Sequence, residues 1–514
     1  MAEVSTKGIG KVIFSSSLGT LIEWYDFYIF GMLAKTISAQ FFPEGNDTAA
    51  LLSTLAIFAA GFLVRPFGAL FFGRLGDMIG RKYTFLLTLV LMGGSTFLIG
   101  LIPGYRTIGI AAPLLVLLLR LVQGLALGGE YGGAATYVAE HAPVGRRGYF
   151  TAWIQTTATL GLFVALGVIM LVKNNMPDAS FNAEWGGWRY PFWISILLVG
   201  VSIYIRLRMN ESPVFAKLKA EKKTSSNPLK ESFGNKENFK MVLLALFGAV
   251  MGQGVIWYTG QFYAQSFLEN TVKIEFVQNR EILLWAIGLA TPFFLVFGAL
   301  SDKIGRKWIM LIGMLLGVIF YRPIFGELLR SADVQTKMFG NITFLKEKNE
   351  ILYFKGDSVI QINSDYITDD NLKYSTLLKD TLFKGRNMQF EADKIIKANK
   401  NILIYDKILP VNLKIKFIFL IWIMIIFVTM VYGPVAAFLV ELFPTKIRYT
   451  SMSLPYHIGN GVFGGLVPFI ATLLSATFTN DPLVGLWYPI GVAALCFVIG
   501  ALYLSNKKDE DVSD

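Results

Sequence analysis

The sequence predicts an all-α integral membrane protein with twelve transmembrane helices in two six-helix halves, and a small β-rich extracytoplasmic insert between helices 9 and 10. Three observations carry this. Of 514 residues, 54% are hydrophobic and only 16% are charged, a balance too apolar for a soluble globular chain. Apolar windows of about 20 residues, the length that crosses a hydrocarbon core of about 30 Å, recur along most of the chain. Finally, the turn Gly73 to Phe85, G-R-L-G-D-M-I-G-R-K-Y-T-F, returns in near copy at Gly298 to Met310 as G-A-L-S-D-K-I-G-R-K-W-I-M. A repeat on that scale marks two similar halves.

Taken in order, the spans fall near 12–34, 50–72, 84–103, 111–138, 150–172 and 188–208, then near 241–268, 281–300, 308–328, 414–436, 450–475 and 484–504. The first run is interrupted by Glu23 and Asp26 and is too long for a signal-peptide core. Residues 1–208 are then the N-terminal half and 209–240 a charged cytoplasmic linker. Residues 241–328 hold helices 7–9, 329–413 the insert, 414–505 helices 10–12, and 506–514 a cytoplasmic tail. The insert contains three β-prone runs, Asn341 to Leu345, Ile351 to Phe354 and Ser358 to Ile362, separated by Lys-Glu-Lys-Asn-Glu and Lys-Gly-Asp.

Charge placement sets the topology. The formal charge is +11, and Lys and Arg gather in connections on one side, such as Arg74 to Lys82, Arg206 to Lys240 and Lys303 to Lys307. By the positive-inside rule that side is cytoplasmic and both termini lie there. A nucleic-acid partner would need a continuous basic surface on a soluble module, which this pattern does not provide. Cys496 is the single cysteine and sits in the last apolar segment, so no intrachain disulfide forms. No phosphate-binding G-x-x-x-x-G-K-[ST], H-E-x-x-H or cysteine-rich metal set occurs. The chain therefore reads as neither an enzyme nor an ATP-driven pump, with no cofactor and no metal.

The repeated turn has a physical logic. Asp77 lies where one helix ends and the next begins, able to cap backbone N–H groups and pair with a cation. Gly73, Gly76 and Gly80 allow close approach, while Arg81 and Lys82 stay at the interface. Asp302, Gly305, Arg306 and Lys307 are the counterparts in the second copy. Such a turn can lock two helices in one state and release them in another, so Gly73, Asp77, Gly80, Arg81, Asp302, Gly305 and Arg306 are the expected gating residues.

The G-x-L-x-D-x-x-G-R-K pattern of Gly73 to Lys82 resembles the signature of the major facilitator superfamily. Further stretches resemble its metabolite:proton symporter family, which includes proline/betaine, α-ketoglutarate, citrate and shikimate carriers. They are Gly19 to Gly31 (G-T-L-I-E-W-Y-D-F-Y-I-F-G), Arg120 to Gly133 (R-L-V-Q-G-L-A-L-G-G-E-Y-G-G), Glu211 to Phe215 (E-S-P-V-F) and Glu441 to Thr450 (E-L-F-P-T-K-I-R-Y-T). The resemblance covers nearly the whole chain except the insert. It implies the major facilitator fold and alternating access, with the proton gradient as energy source. The fifth span, Tyr149 to Val172, lacks the G-x-x-x-G-P-x-x-G-G of drug antiporters in this superfamily, which by resemblance favours symport.

Buried charge points to the coupling chemistry independently. Glu23 and Asp26 share one face of the first span, and Glu130 lies in the fourth; an intramembrane carboxylate must be neutral, paired or facing a water-filled cavity. Arg65 and Arg120 lie at comparable depth and need an anionic partner or an anionic substrate. The expectation is that Glu23, Asp26 and Glu130 exchange between proton and arginine while Arg65 or Arg120 holds a substrate carboxylate beside Tyr25. Static ion pairs holding the bundle together are the competing reading. In the second half, Gln253, Trp257, Tyr258, Gln261 and Tyr263, with Tyr456, His457 and Asn460, put hydrogen-bonding and aromatic groups at membrane depth; Gln253, Tyr258 and Asn460 are the expected substrate contacts.

These observations lead to a multi-pass transporter of the bacterial inner membrane, acting as a monomer on a small organic acid or zwitterion, with the lipid bilayer, protons and substrate as its partners. The alternative is a transporter-like receptor that senses ligand through the insert.

Overall fold

The computed structural model describes residues 20–21, 24–26, 28–43, 46–79, 81–129, 131–143, 145–207, 228–334, 342–354, 357–382, 403–444 and 447–506. Glu23, Gly80 and Glu130 lie outside the described residues, as do the surroundings of Gly73 and the side chains of Asp77 and Arg81.

The described chain is mostly helical. Its main helices in the first half are α1 (Ala34–Phe41), α2 (Asp47–Leu63), α3 (Arg65–Ile79), α4 (Arg81–Ile99), α5 (Ala111–Gly128), α6 (Tyr131–His141), α7 (Arg147–Asn174) and α8 (Tyr190–Leu207). The second half contributes α9 (Lys236–Ala245), α10 (Met251–Tyr258), α11 (Ala264–Asn270), α12 (Phe276–Ile304), α13 (Arg306–Ser331), α14 (Val411–Tyr432), α15 (Val435–Leu442), α16 (Arg448–His457), α17 (Val467–Thr477) and α18 (Trp487–Tyr503). Residues preceding α1, including Trp24, Tyr25, Asp26 and Tyr28, are also helical. Local chemistry sets several starts: Asn46 accepts the Ala49 N–H at 2.9 Å ahead of α2, and Asn235 accepts the Glu237 N–H at 2.9 Å ahead of α9.

Among the described residues, nine helical runs are long and apolar enough to cross a membrane, and Leu86–Ile99 is a shorter apolar helix. Large apolar side chains stay exposed at helical spacing, as with Leu114 and Leu118 on α5, Trp285 and Leu289 on α12, and Ile415 and Phe419 on α14. Water would penalise such stripes and hydrocarbon accepts them, so the protein is a multi-pass membrane protein.

The chain divides into two compact units. One comprises Met1–Tyr263, Leu284–Arg322 and Trp422–Asp514; the other comprises Ala264–Leu283 and Pro323–Ile421. The second unit carries a four-stranded antiparallel meander, β1 (Ile342–Phe354), β2 (Asp357–Thr368), β3 (Lys373–Leu382) and β4 (Leu403–Ile408), in that spatial order. Ile342 pairs with Thr368 and Phe354 with Asp357 across β1 and β2, while Ser358 pairs with Leu382 across β2 and β3. The Lys-Glu-Lys-Asn-Glu stretch, read from sequence as a separator, is instead part of β1, which is continuous apart from a register shift between Phe344 and Lys346. β1 is an edge strand, where charged residues are tolerated and discourage further pairing. Phe344, Tyr366 and Tyr374 form an aromatic row across the sheet, with ring centroids 5.7 and 5.3 Å apart. Within the same unit, Gln278 donates to the Leu409 carbonyl at 3.0 Å and accepts its N–H at 2.7 Å, and the buried Arg280 pairs with Glu269.

Candidate functional site

Interruptions of the helices, all in the larger unit, assemble the site. Arg65 opens α3 directly after α2 ends at Leu63, and Tyr131 opens α6 shortly after α5 ends. π-helical segments at Leu246–Val250 and Thr259–Tyr263 flank α10, which carries Gln253, Trp257 and Tyr258. Tyr432 ends α14 ahead of Gly433 and Pro434, His457 ends α16, and the π-helical Ile458–Gly464 holds Asn460. Irregular backbone at membrane depth is tolerated where protein buries it or where it lines a cavity, and π-turns concentrate at functional sites. Gly128 lets α5 approach so closely that a Cβ there would collide with the Arg65 backbone, which fixes Arg65 against its neighbour helix.

Arg65 is 1% exposed, with its guanidinium 4.1 Å from the Phe62 ring centre and 5.8 Å from that of Trp24. Its electrostatic neighbours are Tyr28, Tyr258, Tyr432 and Tyr456, and it also acts on His457. Aromatic rings from both halves close around it. Trp24 stacks on Tyr28 at 5.2 Å and meets Trp257 edge-on at 5.4 Å, while Trp257 stacks on Tyr432 at 5.5 Å. Tyr131 and Tyr456 stack with ring centres 3.4 Å apart, the Tyr432 and Tyr456 hydroxyls are 2.7 Å apart, and Gln155 donates to the Tyr131 hydroxyl at 2.7 Å.

Of the sequence candidates, the structure brings Arg65, Arg120 and Tyr258 into one electrostatic neighbourhood, and Asn460 donates to Gln253 Oε1 at 2.7 Å. Tyr25 is placed elsewhere: its buried hydroxyl donates to the Pro191 carbonyl at 2.8 Å, tying the first span to the start of α8. Successive helical residues are about 100° apart, so Trp24 and Tyr28, not Tyr25, face Trp257. Sequence reasoning missed these two and Tyr432. Several buried polar atoms have no hydrogen-bond partner among the described residues: both ring nitrogens of His457, Trp257 Nε1, Gln253 Nε2 and both side-chain polar atoms of Gln261. Buried polar groups are normally satisfied, so a cluster of unsatisfied ones beside a buried cation marks where a polar solute can bind.

The second charge centre differs from its expectation. Arg120 donates to Gln123 Oε1, and contacts the Phe58 carbonyl at 3.5 Å, with the Phe30 and Phe58 rings 4.6 and 5.0 Å away. The fully buried Asp26 carboxyl has no hydrogen-bond partner among the described residues, so no described arginine binds it in this conformation. A glutamine is thus one acceptor for Arg120. Gln123 carries no charge to flag it, and R-L-V-Q-G was read for its arginine.

The second copy of the repeated turn joins the halves. Asp302 accepts the Gly148 and Tyr149 N–H groups at 2.8 and 2.9 Å, capping α7, and pairs with Arg306 at 2.6 Å. Arg306 also pairs with Glu441 at 2.8 Å and donates to the Ser301 hydroxyl at 2.7 Å. Gly305 has φ of 98°, a left-handed conformation that explains the glycine at this place in the motif. Lys307 donates to the Ala501 and Leu504 carbonyls at 2.8 and 2.7 Å, capping α18. Nearby, Tyr449 donates to the Gly129 carbonyl. In the first copy Gly73 and Asp77 fall in α3, and Arg81 opens α4.

Comparison with known proteins follows the same lines. A family model described as sugar (and other) transporter matches residues 12–238. The inner membrane metabolite transport protein YhjE of Escherichia coli K12 is 32% identical over 473 residues, covering 91% of this chain and 88% of the relative. The α-ketoglutarate permease of the same organism is 39% identical over 316 residues, 62% of this chain and 71% of the permease. Its proline/betaine transporter is 34% identical over 344 residues, 65% and 67%. Among solved structures, the partially occluded inward-open xylose transporter XylE from E. coli aligns with a TM-score of 0.65 at 15% identity, covering 98% of this chain and 100% of that one, a likeness of fold.

Proposed function

Since the chain belongs to the metabolite:proton symporter family of the major facilitator superfamily, we propose that it is a twelve-helix secondary transporter. It couples downhill proton entry to uptake of a small carboxylate or zwitterion by rocking its halves about the Arg65 cluster. The observation that carries this reading is Arg65 itself. A buried arginine cannot shed its charge, and it sits among tyrosines from both halves beside the unpartnered nitrogens of His457. An anionic group of a solute is drawn to the arginine's charge, while His457, Gln253 and Trp257 hydrogen-bond its polar remainder. Asp26, buried without a hydrogen-bond partner among the described residues, is suited to hold a proton rather than a charge.

The ion pairs around Asp302 belong to a gate on the cytoplasmic side, closed in this conformation. With both termini on that side, the halves are residues 1–208 and 241–505, joined by the 209–240 linker. The 329–413 insert then faces outward. Opening inward requires Asp302 to leave the start of α7 and the Tyr131–Tyr456 stack to part.

The names of the relatives supply the first solutes to try. Purified protein in liposomes, given labelled α-ketoglutarate, proline or glycine betaine under an imposed inward pH gradient, is expected to accumulate at least one of them. Accumulation should disappear when the pH gradient and the voltage are both collapsed; accumulation that survives this treatment overturns the coupling.

A further inference from the structure

Arg65 and His457 lie close together on opposite halves. His457 ends α16, and Gly461, four residues on and so on the same helical face, packs where a Cβ would stand 3.7 Å from Arg65 Cδ. The Arg65 charge acts on the imidazole, and the Tyr456 ring meets it edge-on with centres 5.3 Å apart. His457 is 1% exposed, and neither of its nitrogens has a hydrogen-bond partner among the described residues. Packing alone does not call for two buried nitrogens, because an apolar ring fills the same space without their desolvation cost.

His457 also asks for something that the other unsatisfied groups of the cluster do not. Trp257 Nε1 and Gln253 Nε2 are donors, which a carboxylate, a keto oxygen or any other acceptor on the solute can meet. A neutral imidazole beside a fixed cation presents one N–H and one bare nitrogen whichever tautomer it takes, and the bare nitrogen only accepts. Gln261, four residues after Trp257, adds a second unsatisfied acceptor in its side-chain oxygen. A solute built only of acceptors meets the donors and leaves these two groups desolvated and unpaired, the costly half of the hydrogen-bond balance. A hydroxyl or N–H near the carboxylate of the solute supplies what they lack.

We propose that His457 is a specificity-determining residue of the solute site: its bare nitrogen selects acids that carry a hydrogen-bond donor, a hydroxyl or an N–H near the carboxylate, over their keto or fully N-methylated analogues. The carboxylate lies toward Arg65 on the first half and the donor toward His457 on the second. One small solute thereby bridges the halves, and the rocking movement that parts them uncovers both imidazole nitrogens for it. Of the solutes named above, proline carries such a donor, whereas α-ketoglutarate and glycine betaine do not. This inference rests on the reading of the Arg65 cluster as the solute site.

Two matched pairs test it in the full-length protein: α-ketoglutarate against 2-hydroxyglutarate, and glycine betaine against N,N-dimethylglycine. The second member of each gains a donor with little change in shape. Apparent affinity is read by titrating the thermal stabilisation that each solute gives the detergent-solubilised protein. In a pair that binds, the donor-bearing member is expected to bind at least about tenfold more tightly, since a site built to hydrogen-bond a solute group rejects the analogue without it. His457→Phe keeps a flat ring and removes both nitrogens, so it should bring that ratio close to one, chiefly by weakening the donor-bearing member. His457→Gln, which keeps an acceptor, should retain a preference. A merely structural role at this position would weaken both members alike and leave the ratio unchanged. A ratio near one in the parent, or a preference that persists in folded His457→Phe, overturns the proposal. If no member of either pair, nor proline, stabilises the parent, the reading of the Arg65 cluster as the solute site fails and takes this inference with it, an outcome distinct from binding without preference.

Discussion

Around the central cluster the first half contributes buried charge, in Asp26, Arg65 and Arg120, whereas the described groups of the second half are neutral: Gln253, Trp257, Tyr258, Tyr432, Tyr456, His457 and Asn460. Ion pairs of the second half include Asp302 with Arg306 at the turn between α12 and α13, Arg306 with Glu441 of α15, and the buried Arg280 with Glu269. The difference suggests a division of labour. A buried charge is expensive to move through a changing environment, so it is best kept on a half whose packing holds it. Neutral hydrogen-bonding groups can break and remake contacts at about 1 kcal/mol each, which suits helices interrupted by π-turns and prolines. The first half would hold the ions, and the second would adapt to the solute.

The largest test of that contrast sets Arg65 against Asn460. Arg65→Met should cost on the order of 100-fold in solute affinity, the scale for deleting one partner of a buried charge pair. Asn460→Ala, which removes the donor to Gln253, should cost about fivefold to tenfold, a hydrogen bond's worth. Binding can be read from ligand-induced thermal stabilisation with the solutes named above. If Asn460→Ala proves as damaging as Arg65→Met, charge does not separate the halves.

The gate provides the next test. Asp302→Asn keeps one acceptor for the start of α7 but loses the ionic pair with Arg306 and the charge-assisted character of the Gly148 and Tyr149 bonds. A loss of about 1.5 kcal/mol, roughly tenfold in population, should favour the open cytoplasmic side. Cys496, the sole cysteine, is buried, so Ser453→Cys, at a buried position near Gly132, reports opening by maleimide labelling. Asp302→Asn should speed that labelling about tenfold; an unchanged rate would mean that the pair does not hold the gate. A smaller effect is expected at Tyr258. Tyr258→Phe keeps the ring contacts with Phe62 and Phe262 and removes a hydroxyl beside Arg65, about 1 kcal/mol or fivefold in affinity.

How much of this was legible in the sequence depended on whether a residue's chemistry announces itself. The repeated turn did: its glycines, acid and paired cations stand out between apolar runs, and Gly305 at positive φ and Asp302 at the head of α7 bear the physical logic of those choices. Arg65 and Arg120 were visible because charge inside an apolar span is conspicuous. Gln123 was not, since a neutral amide carries no such flag, although it accepts from the charged group. Nothing in the sequence sets Trp24 and Tyr28 apart from Tyr25, since aromatic residues fall on several faces of the first span and only packing distinguishes which of them point inward. The π-turns at Thr259–Tyr263 and Ile458–Gly464 were equally illegible, since they arise from how helices meet rather than from a local motif. In the insert, the charged run inside β1 hid a strand because an edge position lifts the usual preference against charge.

The smallest prediction asks whether first-half charge outside the cluster is merely structural. Glu184, between α7 and α8, accepts from the Thr107 hydroxyl at 2.6 Å and the Gly104 N–H at 2.7 Å. Those hydrogen bonds, Thr107 first and then Gly104, with smaller help from Arg189 and Arg106, hold its carboxyl below the ordinary glutamate value. The sign follows from linkage. A group whose folded value is depressed adds stability above its unfolded value, near pH 4.3, and that stability is lost as pH falls through the lower folded value. Because Glu184 is only half-buried, screening keeps the contribution below about 1 kcal/mol. Glu184→Gln retains the acceptor oxygen and removes the charge, so the variant should melt slightly lower than its parent at pH 7, and the gap should close on acidification. Proton-driven uptake should be untouched in the same variant. A change in its pH profile would show that first-half charge beyond Asp26, Arg65 and Arg120 takes part in coupling, and the division between an ion-holding half and an adaptable half would then have to include the connection between α7 and α8.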